Sequence, residues 1–115
     1  MSDREWRFYL DDMLGFAKKV VLYTDSLTQV SFEEGGLNYD ATVRNLELIG
    51  ESATHIPTEV SEKYTSIPWR QIIATRDQLI HGYLGIDGDT LWSIIQDDIP
   101  ELINALQDIQ KSLSN

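Results

Sequence analysis

The chain has 115 residues, 42% hydrophobic and 24% charged, which suits one domain spanning 1–115 with its own core and excludes disorder. Nineteen acidic and nine basic residues set a formal charge of −10; this excludes a binder that tracks nucleic acid over a broad basic surface, and leaves only contacts that are local or borrow charge from a second copy. There is no cysteine for a disulfide or thiolate metal site, no apolar run of membrane-spanning length and no signal peptide in "MSDREWRFYL", so a cytoplasmic protein of a bacterium or archaeon, away from any membrane, is expected.

Helical periodicity dominates from end to end. The first helix is expected from about Asp3 to Leu27, with Trp6, Leu10, Met13, Ala17, Val20 and Leu27 on one stripe that Tyr9, Phe16 and Tyr23 widen. "SFEEGGLNYD" reads as turn chemistry around its paired glycines. A second helix, about Tyr39 to His55, carries Val43, Leu46, Ile49 and Ala53, and its small Gly50 and Ala53 allow a neighbouring helix close. "PTEVSEKY" supplies one or two helical turns. Ser66 is the expected N-cap of the next helix, with Pro68 in its first turn and an end near Gly82. In "GIDGDT" either Asp87 or Asp89 caps the last helix, which holds Leu91, Ile95, Ile99, Leu102, Leu106, Ile109 and Leu113 in one phase across a kink at Pro100. The fold class is all-α, an up-and-down bundle of four main helices plus a short one.

Chemistry has few places to reside. The only histidines are His55 and His81, which rules out a His-rich metal cluster; carboxylate-only magnesium binding stays open, and no cofactor motif is present. Wound at roughly 100° per residue, "ATRDQLIHGY" puts Trp69, Ile72, Ile73, Leu79, Ile80 and Tyr83 on one apolar face with Arg76 near its middle, a costly place for a guanidinium. Arginine offers a fixed fork for phosphate oxygens, and histidine exchanges protons near neutral pH. Together they are the minimum kit for cleaving an RNA phosphodiester without a metal. Five residues turn a helix by roughly 140°, so Arg76 and His81 diverge. Either the helix loosens before Gly82, or a second copy completes the site. Other roles are open for each residue: Arg76 as a buried partner of Glu47 or Glu51, His81 as a helix C-terminal cation, Tyr83 as a packed aromatic. His55 reads as structural or solvent-facing, and Trp6, Trp69 and Trp92 as core anchors.

"RDQLIHGY" spells Arg, four residues, His, any residue, Tyr, and so resembles the signature of the HepT toxins, the DUF86 branch of the HEPN superfamily. "REWRFYLDDML", "TVRNLELIGESATHIP", "IPWRQIIATRDQLIHGY" and "LWSIIQDDIPELI" resemble that family's helices in order over nearly the full length. The resemblance implies a HEPN-like fold and a homodimeric, metal-independent ribonuclease toxin acting on RNA, with Arg76 and His81 catalytic in a cleft between protomers. It also implies a partner antitoxin, MntA, a minimal nucleotidyltransferase that silences the nuclease by transferring AMP from ATP to Tyr83. Asp77 stands where many relatives have asparagine, and with Glu51 it is the carboxylate expected to modulate the site. A different class of function, a non-catalytic nucleotide- or substrate-binding subunit of a nucleotidyltransferase, would also use Arg76 on phosphate but would not need His81.

Overall fold

The computed structural model describes residues 2–81 and 86–114, and every regular element among them is helical. Helix α1 (Asp3–Thr24) starts where the Ser2 hydroxyl accepts from the Glu5 N–H, with Asp3 and Glu5 favourably placed in its first turn. It stops three residues earlier than its apolar stripe suggests. The Thr24 hydroxyl turns back onto the Val20 carbonyl (2.7 Å), and Thr28 and Ser31 then form a capping box that starts a new helix, α2 (Gln29–Glu33). The expected turn is therefore partly helical, held by fully buried Phe32 against Tyr39 and Trp92. Gly35 and Gly36, at φ 87° and 96°, make the actual reversal, in left-handed backbone that suits glycine.

Helix α3 (Leu37–Thr54) begins two residues before the expected Tyr39, and α4 (Thr58–Lys63) is the short helix expected in "PTEVSEKY", anchored by Val60. Helix α5 (Trp69–His81) begins at Trp69 rather than after Ser66: the Pro68 carbonyl accepts the first helical bond, from Ile72. Asp87, not Asp89, caps α6 (Gly88–Ser93); the Thr90 backbone and then its hydroxyl donate to the Asp87 carboxylate and hold it below the usual carboxylate range. A π turn follows at Ile94–Asp98, where the Ile99 N–H reaches the Ile94 carbonyl, and leads into α7 (Ile99–Leu113). Where a kink was expected at Pro100, the irregularity is this π turn just before it. Pro100 has no N–H for the ladder and its ring crowds the preceding turn, so the widened turn sits where the α pattern cannot be kept.

Among the described residues the four main helices, α1, α3, α5 and α7, stand as expected, with three short ones, α2, α4 and α6, rather than one. Helix α1 packs against α3 and α7, and α3 in turn holds α5. Trp6, Leu10, Met13, Ala17 and Val20 of α1 meet Leu46, Ile49 and Ala53 of α3 and Ile99, Leu102, Leu106 and Ile109 of α7 in one core. Helix α5 differs from the others in having no fully buried residue. It lies at the edge of the bundle, and it carries the candidate site.

Candidate active site

The site is set by how closely α5 approaches α3. A Cβ added to Gly50 would overlap the Cβ of Arg76 and press on the Ile72 carbonyl, so only glycine lets the arginine stem lie across α3 there. The next residue of α3, Glu51, then faces the guanidinium. Arg76 Nη2 donates to Glu51 Oε2 at 2.9 Å, and Nη1 to Asp77 Oδ1 at 3.0 Å. Arg76 Nε is buried and has no hydrogen-bond partner. Both carboxylates are half exposed while Arg76 is mostly covered, so the cation is fixed from the wet side by two anions. Of the two partners open from sequence, Glu51 pairs with Arg76; Glu47 pairs with Arg44.

Asp77 holds His81 as well. His81 Nδ1 lies 2.8 Å from the Asp77 carbonyl oxygen, one turn back on the same helix. A carbonyl only accepts, so Nδ1 carries the hydrogen and the lone pair of the neutral ring sits on Nε2. The ring is exposed. Helix α5 stays α-helical through His81, so no loosening turns His81 toward Arg76 within the described residues, and the roughly 140° divergence remains. Tyr83, together with Gly82 and the expected helix end, lies outside the described residues.

A second histidine lies beside Glu51, half exposed as the solvent-facing reading expected. His55, the C-cap of α3, lies one turn beyond Glu51, its Nε2 3.9 Å from Glu51 Oε1. Its ring stacks on Tyr9 of α1, with centroids 4.6 Å apart and planes 10° from parallel. The Glu51–His55 spacing of four on one helix was the available signal. Of the three tryptophans expected as core anchors, Trp6 is buried in the core, while Trp69, donating to the Tyr64 carbonyl, and Trp92, against Phe32, are half-buried and pack on its edge. A separate apolar cleft of about 50 Å³ opens between α3, α5 and the π turn, lined by Leu46, Ile49, Ile72, Ile94 and Leu102 but by neither Arg76 nor His81. Asp98 borders it, and burial, with Glu101 and Asp97 nearby, pushes its carboxyl above the ordinary carboxylate range.

A small helical bundle that displays an arginine, a carboxylate and a histidine on its edge helix, with a second carboxylate from the helix behind it, has the architecture of the HEPN class. The chain belongs to the HepT-like ribonuclease family: the family described as "Ribonuclease HepT-like" matches residues 13–109. Among its relatives, "Putative RNase MJ1380" of Methanocaldococcus jannaschii is 34% identical over 89% of this chain and 94% of its own. "Putative RNase MJ0127" of the same organism is 31% identical over 98% of this chain and 93% of its own. "Probable ribonuclease HepT" of Thermococcus cleftensis is 32% identical over 94% and 98%. No solved structure matches the chain. Among the described residues, no helix is long and apolar enough to cross a membrane.

Proposed function

We propose that this protein is the toxin of a HepT/MntA-type toxin–antitoxin pair, an endoribonuclease that works without a metal ion and acts as a cytoplasmic homodimer. The observation that carries the reading is the double use of Asp77: its side chain fixes Arg76 and its carbonyl fixes the tautomer of His81. Arg76 would hold the non-bridging oxygens of the scissile phosphate and stabilise the charge that builds on the phosphorane. His81 Nε2 would take the proton as the 2′-oxygen attacks phosphorus, or return one to the 5′-oxygen as its bond to phosphorus breaks. Cleavage needs both proton transfers, and each α5 offers one His81 turned away from its own Arg76. A two-fold partner supplies the second histidine and a second arginine in one cleft.

The off-switch follows from the resemblance. The Tyr83 hydroxyl attacks the α-phosphorus of ATP in the MntA-type partner, pyrophosphate leaves, and the AMP anion occupies the phosphate position near Arg76. The test is cleavage of single-stranded RNA in EDTA by the wild type and three variants. Wild type should cleave; His81→Ala and Arg76→Ala should lose about 100-fold or more, with helix content unchanged. Tyr83→Phe should cleave normally and gain no AMP by intact mass when incubated with the cognate nucleotidyltransferase and ATP. Full activity in His81→Ala would overturn the catalytic assignment, and AMP on Tyr83→Phe would move the modification to another tyrosine.

A further inference from the structure

The geometry points to a nucleobase subsite at His55, backed by Tyr9, next to the phosphate position at Arg76. It rests on the ribonuclease reading and adds a substrate feature to it: single-stranded RNA with at least one unpaired base beside the scissile phosphate. Two nearly parallel rings 4.6 Å apart form a stack that a third ring can extend. Tyr9, on α1, is half-buried and forms the inner layer; His55 keeps 44% of its side chain exposed although one face is covered, so its outer face is open.

The placement of the stack links it to the chemistry. A single carboxylate, Glu51, lies 3.9 Å from His55 Nε2 on one oxygen and 2.9 Å from Arg76 Nη2 on the other. Base plane and phosphate fork are therefore neighbours, within reach of one nucleotide. Bases of single-stranded RNA are taken up by stacking on aromatic and histidine rings, with little sequence preference because every base has a π face. A duplex, with its bases paired and stacked internally, could not use the platform. Such a subsite also offers an acidic chain some affinity for RNA that does not depend on net charge.

The experiment is steady-state cleavage of a short single-stranded oligoribonucleotide, with binding measured by anisotropy in a His81→Ala background. His55→Ala should raise KM and weaken binding by about fivefold or more while kcat stays within about twofold. His55→Phe, which keeps a stacking ring but cannot titrate, should restore both. Tyr9→Ala, which removes the backing ring, should fall between. Replacing the base next to the cleaved bond by an abasic unit should weaken wild type and leave His55→Ala unaffected. Unchanged KM in His55→Ala overturns the subsite while leaving the nuclease standing. A His55→Phe variant as weak as His55→Ala also overturns it, since the ring would then act through Glu51. A wild type that neither binds nor cleaves RNA overturns the ribonuclease reading and the subsite together.

Discussion

Arg76 is held by more negative charge than it carries. Glu51 and Asp77 both contact its guanidinium, and the half-buried cation tolerates its place on the apolar face because of them. A phosphate entering the site must compete with those carboxylates. Both are half exposed, so each pair is worth well under a buried one and can be displaced. Asp77→Asn separates the charge from the contact. The amide oxygen can still accept from Nη1, and the backbone carbonyl that fixes His81 is untouched. KM for RNA should fall about two- to fivefold, the range an exposed pair supports, with kcat little changed. Steady-state kinetics at fixed salt tests this, and an equal or higher KM would show that the carboxylate does not restrain the arginine. Arg76, His81, Asp77 and Glu51 could all be picked out from sequence. The tautomer of His81 could not, because it depends on a bond to the carbonyl four residues back. His55 was passed over because a histidine at a helix end has an ordinary explanation, and its partner Tyr9 is 46 positions away.

At the level of helices, apolar spacing located the four main elements and most of the core, since burial follows the 3.6-residue period that the sequence displays; Leu14, Phe32, Val60 and Ile67 were missed. Boundaries were harder. Thr28–Ser31 is a capping box without the usual Glu or Gln, so α2 was hidden in a stretch that also contains two glycines. The π turn was hidden because the apolar stripe of Leu91 to Ile109 keeps its phase through it. The contact of α3 with α5, by contrast, was foreshadowed by small Gly50 and Ala53, and it yields a sharp expectation. Alanine usually stabilises a helix by about 1 kcal/mol over glycine. At Gly50 the added methyl would meet the stem of Arg76 and the Ile72 carbonyl, and α5 would have to shift. Overpacking of this kind costs about 1–3 kcal/mol. Gly50→Ala should therefore lower the urea midpoint rather than raise it, and should reduce RNA cleavage because Arg76 moves with α5. A higher midpoint with wild-type activity would mean that the two helices can part there at no cost to the site.

For the molecule as a whole, the decisive contrast is between an acidic surface and a substrate that is a polyanion. One chain at −10 offers a single restrained arginine on an edge helix, whereas two copies joined through α5 would bring two arginines and two histidines to one cleft. Helix α5 suits such a joint. None of its residues is fully buried, its packing comes chiefly from α3, and Ile80 beside His81 is 47% exposed. An apolar side chain left open next to a charged site is where an interface gains most from burial, on the order of 1.5–3 kcal/mol for each isoleucine fully covered. Sedimentation equilibrium at micromolar concentration should give twice the 13.2 kDa chain mass. Ile80→Asp, which places a carboxylate in the joint of both copies, should shift that mass to a single chain and abolish cleavage while helix content holds. On the proposed two-copy cleft the two readouts move together. A wild type that stays at one chain mass and still cleaves RNA would place both proton transfers within one copy, and a dimeric Ile80→Asp would place the joint on another face.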